Sequence, residues 1–244
     1  ELAEYSSRKE NIEIKLAEQE IIYGNKSYKF KLDSFKKKCL LEGLDDVALS
    51  FEKIPKSFMK ALLSVEDREF FSHPGFNFIS ILRVMWEKIT SFNFFAGGGA
   101  STITQQVIRK HLLSREKTVM RKLQEIILSW RLEKKITKHK ILEIYINSMF
   151  LGSGSYGVEA ASFRFFGKSL QNLKMHQQAL LAGLFKAPSA YNPIKYPKKA
   201  KKRQKQVLFS MEKSGFLTKH QLKSLLNKKM KYKPTLPNQN KKAP

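Results

Sequence analysis

The chain has 244 residues, 42% of them hydrophobic, and carries 46 Lys and Arg against 21 Asp and Glu, a formal net charge of +25. That length suits one domain, or one domain with a small lobe, and the hydrophobic fraction can fill a sizeable core. The single cysteine, Cys39, excludes an internal disulfide. No run of about 18 apolar residues is present to span a bilayer, and so large a positive charge calls for an anionic partner: nucleic acid, a membrane surface or a phosphorylated substrate.

In chain order, residues 1–50 read as a spacer. Ile12, Ile14 and Leu16 alternate with polar residues, Gly24-Asn25 signals a turn, and Tyr28, Phe30 and Leu32 alternate again, which predicts a β-hairpin. From Pro55 the period becomes helical, with Phe58, Ala61, Leu62 and Val65 on one face. Phe76 to Phe95 is rich in Phe, also holds Trp86, and has only Arg83, Glu87 and Lys88 as charges. It fits either an interfacial membrane segment or a buried amphipathic helix. Gly97-Gly98-Gly99 then predicts a flexible loop. Helices follow over Thr118–Lys134, Lys138–Phe150 and Asn172–Lys186, with a glycine-punctuated loop at Leu151–Gly157. A basic run, Lys195–Lys205, precedes a helix around Val207–Met211 and another at Thr218–Leu226, and the Lys- and Pro-rich tail 231–244 reads as disordered.

The chemistry-bearing residues fall in four short stretches. Ser64 to Gly75 combines Glu66, Asp67, Phe70 and His73 with a Pro-Gly turn. A carboxylate in apolar surroundings can serve as a general base, and Leu62, Leu63 and Phe70 lie within one turn of Glu66. Taken alone, a Glu-Asp pair is more often a solvated helix face, and a lone His is more often structural. Gly99 to Gln106 reads as a loop entering a helix, where free N–H groups attract anions. Ser101, Thr102 and Thr104 add hydroxyls, Gln105 and Gln106 add amides, and Arg109 lies near the Gln106 face, so the stretch can cradle a pyrophosphate. Lys117, Arg121 and Glu125 fall at i, i+4, i+8, opposite an expected core face of Val119, Leu123, Ile126 and Trp130; by itself this is a surface ion-pair ladder. In the fourth stretch, Lys138 to Asn147, Glu143 and Asn147 project together and read as architecture.

These stretches, in this order, resemble the peptidoglycan glycosyltransferases, which polymerise lipid II and occur alone or as the N-terminal half of class A penicillin-binding proteins. The likeness runs from about Ile54 to about Asn227. Every fixed position of the Glu-Asp-x-x-Phe-x-x-His-x-Gly pattern is matched by Glu66, Asp67, Phe70, His73 and Gly75. The sequence departs from the family at Ala100, where a second Gly is usual, at Arg109, where Lys is usual, and at Lys117, where Arg often stands. Arg keeps both the charge and a bidentate fork.

The resemblance implies a mainly α, lysozyme-like catalytic domain over 51–230. It adds a membrane-proximal lobe at 76–97 and an anchoring helix ahead of Glu1, with the catalytic domain on the extracytoplasmic face of the cytoplasmic membrane. It implies that Glu66 deprotonates the acceptor sugar hydroxyl and that Glu125 is the second catalytic carboxylate. Glu125 would help hold the donor pyrophosphate, with Mg2+ or Mn2+ as the cofactor the family allows. Substrate binding falls to Asp67, Phe70, His73, Ser101, Thr102, Gln105, Gln106 and Arg109, with Lys117, Arg121, Lys122, Glu143 and Asn147 completing the set. The implied partners are lipid II, an undecaprenyl-pyrophosphate-linked glycan, an anionic membrane surface and other cell-wall synthesis proteins. A nucleic-acid binder is disfavoured, since there is no zinc-ligand spacing, RNP-like strand motif or recognition helix. A lysozyme-like hydrolase is the closer rival, but the cation-rich second and third stretches suit a pyrophosphate leaving group that a hydrolase does not need.

Overall fold

The computed structural model describes residues 12–15, 18, 20–23, 26–29, 48–78, 101–113 and 118–233. It is mainly helical and divides into two compact units, Glu1–Ala48 and Leu49–Pro244. In the first unit, β1 (Ile12–Lys15), β2 (Glu20–Tyr23) and β3 (Lys26–Lys29) form an antiparallel sheet in the order β1-β2-β3. Ile12 pairs with Tyr23, and Tyr23 with Lys26. The expected hairpin is therefore a three-stranded meander, with two short connections instead of one.

The second unit begins with a 3₁₀ turn, Phe51–Lys53, and α1 (Lys56–Glu66). Pro55 caps α1, its carbonyl accepting from the Met59 N–H. The helix buries Phe58, Ala61, Leu62 and Leu63, as the 3.6-residue period dictates, and ends at Asp67 with an extended φ of −163°. Next come α2 (Ile103–His111), α3 (Val119–Lys135) and α4 (Lys138–Ser148), each started by a threonine, Thr102, Thr118 and Thr137, whose hydroxyl accepts a first-turn N–H. Thr102 and Gln105 complete a capping box, each side chain satisfying the other residue's backbone.

The chain then forms β4 (Phe150–Gly152), β5 (Ser155–Tyr156), α5 (Val158–Phe166), a 3₁₀ turn at Leu170–Asn172, and α6 (Met175–Leu184). It closes with α7 (Pro197–Lys213) and α8 (Lys219–Leu226). From Gln178 to Leu184 every residue of α6 is buried, so this helix is the centre of the unit, with α1, α5 and α7 packed on it. Burying each large apolar side chain there contributes about 1.5–3 kcal/mol.

Several expectations need correction. Leu151–Gly157 is not an open loop: β4 and β5 pair across it, with Gly152, Ser153 and Gly154 all at positive φ. The basic run is helical, because α7 starts at Pro197 and its Ala200, Arg203, Gln204, Val207, Leu208 and Met211 form one buried face. The segment read as one helix over Asn172–Lys186 is a 3₁₀ turn followed by α6, and α4 stops at Ser148. The tail is ordered at its start: Tyr232 stacks on Phe166 at 5.8 Å, and the Lys233 N–H donates to the Phe165 carbonyl.

The largest correction concerns α3. Its expected core residues Leu123 and Trp130 are 50% and 41% exposed, whereas Glu125 and Ser129 are buried. The helix is rolled to set its polar face against α2. Most of Phe76–Phe95, the triple glycine and the tail beyond Lys233 lie outside the described residues.

Candidate active site

Glu66 is the last residue of α1, and its side chain is 10% exposed. Its Oε2 accepts from Gln106 Nε2 at 3.3 Å, and its Oε1 lies 3.5 Å from an Arg203 terminal nitrogen. The Gln106 amide is held in turn by the Tyr145 hydroxyl, which donates to its Oε1 at 3.0 Å. Burial raises the Glu66 pKa above the ordinary carboxylate range. The Gln106 hydrogen bond and the charges of Arg203 and Lys186 pull the other way, and burial wins. A carboxylate held ready to take a proton is the requirement for a general base.

Asp67, one residue on, belongs to the scaffold around this base. Both of its oxygens meet His73 Nε2, at 2.9 and 3.1 Å, and Oδ2 also accepts the Ile103 N–H at the start of α2. His73 Nδ1 faces two donors, the Gly75 N–H at 3.1 Å and Lys138 Nζ at 3.3 Å. It must accept, so the imidazole carries its proton on Nε2 and gives it to Asp67. This histidine orients its neighbours.

Gly75 explains the next link. Its φ is +93°, and a Cβ there would lie 2.7 Å from the Ser129 carbonyl of α3. Only glycine lets this loop meet the α3 backbone. The Gly75 carbonyl then accepts from Thr102 Oγ1 at 2.7 Å, tying the loop to the α2 cap. Lys138 Nζ donates to Glu133 at 2.8 Å, Glu133 accepts from Thr104, and the ammonium lies 4.6 Å over the Phe70 ring.

On the other side of α2, Lys122 Nζ joins three groups: Ser101 Oγ at 3.1 Å, Gln105 Oε1 at 3.3 Å and Glu125 Oε2 at 3.0 Å. Glu125 is 1% exposed. Its Oε1 lies 3.5 Å from Arg121 Nε, and neither atom makes a hydrogen bond; nor does buried Gln105 Nε2. Two of these three orphaned atoms are N–H donors, and such buried groups call for a partner.

A divalent cation fits Glu125 poorly. The carboxylate is already paired with Lys122 and flanked by Arg121, and among the described residues no three His, Cys, Asp or Glu side chains converge.

The structure thus brings Glu66 and Gln106 together, joins Asp67, His73 and Thr102, and gathers Ser101, Gln105, Arg121, Lys122 and Glu125. Half-buried Arg109 is close enough for its charge to act on Tyr145. Three expected binding residues lie elsewhere. Phe70 is 0% exposed, with its ring edge-on to His73, and belongs to the core beneath the site. Glu143 accepts from the Phe51 N–H, and Asn147 exchanges two hydrogen bonds with the Leu49 backbone, so both fasten the start of the unit to α4. Lys117 lies outside the described residues.

The residues that sequence reading missed are Arg203, Tyr145, Lys138, Glu133 and Ser129. For Arg203 a signal existed: it is the one arginine in the basic run, and it falls four and eight residues before Val207 and Met211.

A desolvated carboxylate at the end of α1 and a second, buried carboxylate on α3 flanked by two cations suit an enzyme that moves a proton and handles an anion. Residues 38–212 match the family described as transglycosylase. A Cupriavidus necator protein, provisionally named a transglycosylase, is 42% identical over 68% of this chain and 71% of its own length. Penicillin-binding protein 1A of Aquifex aeolicus is 40% identical over 76% of this chain and 25% of its own length. The chain therefore spans about a quarter of that longer relative. A crystal structure of penicillin-binding protein 1A from Haemophilus influenzae overlaps 54% of this chain and 16% of its own, at 29% identity and a TM-score of 0.38, too partial a match to argue from. The chain belongs to the transglycosylase family, the peptidoglycan glycosyltransferases, and is a glycosyltransferase enzyme.

Proposed function

We propose that the chain polymerises lipid II, transferring a lipid-pyrophosphate-linked glycan to the GlcNAc 4-hydroxyl of the incoming lipid II. Glu66 takes the hydroxyl proton. The oxygen forms its bond to the donor anomeric carbon in line, with inversion from α to β, as the bond from that carbon to the pyrophosphate oxygen breaks. The electron pair leaves with the undecaprenyl pyrophosphate. Arg109, Arg121 and Lys122, with Lys117, neutralise it, and Glu125 fixes the two α3 cations in position. The orphaned N–H groups of Arg121 and Gln105 are donors for its oxygens.

The observation that carries this reading is the Glu66 carboxylate, buried yet kept oriented by Gln106 and Arg203. The net charge of +25 suits an anionic membrane surface, and the Phe76–Phe95 segment is the candidate contact. Among the described residues no helix is long and apolar enough to cross a membrane. The hydrolase alternative gains nothing from the geometry, since Glu125 is committed to two cations.

The test is incubation of the protein with labelled lipid II in detergent, with and without moenomycin, and resolution of products on a gel. A moenomycin-sensitive ladder from the wild type, absent for Glu66→Gln, is expected. A normal ladder from folded Glu66→Gln protein would remove Glu66 as the base, and shortening of preformed glycan would favour hydrolysis.

A further inference from the structure

We propose that Tyr145 is a positioning residue for the transfer reaction: its hydroxyl fixes the Gln106 amide so that Nε2, and not Oε1, faces Glu66. The proposal rests on the reading of Glu66 as the base. Tyr145 is completely buried on α4, and its ring is stacked on Phe185 at a centroid distance of 5.0 Å. A buried phenol must place its proton, and the acceptor it reaches is Gln106 Oε1 at 3.0 Å. The other end of the same amide donates to Glu66 at 3.3 Å.

The two amide orientations are therefore unequal. With Oε1 toward Tyr145, both contacts are donor to acceptor. Turned over, the amide would set a carbonyl oxygen against an ionised carboxylate and leave the phenolic proton without its acceptor. The hydroxyl selects the first state. It stays a donor across any assay range, because burial, followed by the Glu66 charge, holds the phenol well above its ordinary pKa. Arg109 opposes that shift.

Other charges also act on Glu66: Arg203 of α7, Lys186 beyond the end of α6, and Asp67 beside it. None of them depends on the Tyr145 hydroxyl, so its removal isolates the amide. The Gln106 hydrogen bond is the largest influence opposing burial at Glu66. Without it, Glu66 holds its proton more tightly, and base catalysis begins at higher pH.

Tyr145→Phe keeps the ring and its stacking while deleting the hydroxyl. The expected result is a kcat/KM profile whose acid limb moves to higher pH. Activity should fall about tenfold at a pH below the limb and converge with wild type above it. Carbon-13 NMR of labelled glutamate, with the Glu66 signal assigned by its loss in Glu66→Gln, should show the same upward move of the titration midpoint in protein without substrate. Gln106→Leu should move the midpoint at least as far, and Tyr145→Phe added to Gln106→Leu should add nothing. An unmoved midpoint in Gln106→Leu overturns the proposal even if Tyr145→Phe fails to fold; so does an additive double variant, or a loss in Tyr145→Phe that is uniform with pH. If wild type makes no polymer, the polymerisation reading has failed, while the NMR titration still judges the hydrogen-bond relay.

Discussion

Replacing Arg203 by Met tests whether a cation is needed beside the base. The two side chains are 7% and 10% exposed and approach to 3.5 Å. With an effective dielectric of about 20, their attraction is about 5 kcal/mol, and deleting one partner of such a buried pair costs about 3–5 kcal/mol. Met keeps an apolar stem where Arg203 Cγ passes 3.0 Å from the position of a Gly183 Cβ. Glu66 can limit the loss by taking up a proton. Burial already raises its pKa, and Arg203 is one of the groups restraining it, so Arg203→Met raises it further. A carboxyl whose pKa is higher in the folded than in the unfolded state loses stability as pH rises through the folded value. Arg203→Met should therefore cost about 3–5 kcal/mol at pH 8 and distinctly less at pH 5. The limiting slope is about 1.4 kcal/mol per pH unit. Urea unfolding followed by tryptophan fluorescence, at both pH values and in the Glu66→Gln background, measures this. A cost equal at both pH values, or a pH dependence that survives in Glu66→Gln, would refute the pairing.

Three further outcomes follow from the same geometry. Glu66→Gln should lower the polymerisation rate by about 100-fold or more, the usual contribution of a positioned base; in the wild type, activity should rise with pH through the elevated Glu66 pKa, and a flat pH–rate profile would contradict the assignment. Gly75→Ala puts a Cβ 2.7 Å from the Ser129 carbonyl at a φ of +93°; the left-handed backbone and the overpacking together should cost about 2–5 kcal/mol, and an unchanged melting temperature would show that the loop can yield. Lys122→Met leaves buried Glu125 with Arg121 as its ion-pair partner and takes one donor from Ser101 Oγ and from Gln105 Oε1; KM for lipid II should rise and thermal stability fall, so wild-type kinetics would separate this cluster from the donor site.

Much of the chain was legible before folding because the signals are local. The 3.6-residue period of α1 and the Glu-Asp-x-x-Phe-x-x-His-x-Gly stretch depend on residues within a turn or two of one another. Gly75 could be singled out from sequence, although its reason, contact with the α3 backbone, could not.

Tertiary structure decided which face of α3 is buried and which distant groups reach Glu66. Helix α3 carries one apolar stripe, Met120, Leu123, Ile127 and Trp130, and further apolar residues, Leu128 and Leu132, on another side, so periodicity alone left its roll undetermined. Close approach at Gly75 and Ser129, together with the Lys122 bridge to α2, turned Glu125 inward and left Leu123 and Trp130 outside. Arg203 reaches Glu66 across 137 positions of sequence because α7 packs on α6, and Gly183 leaves room for its side chain. A local pattern can specify a helix and its cap. The charge and the hydrogen bond that set a buried carboxylate come from helices brought together only by packing, and no spacing rule encodes them.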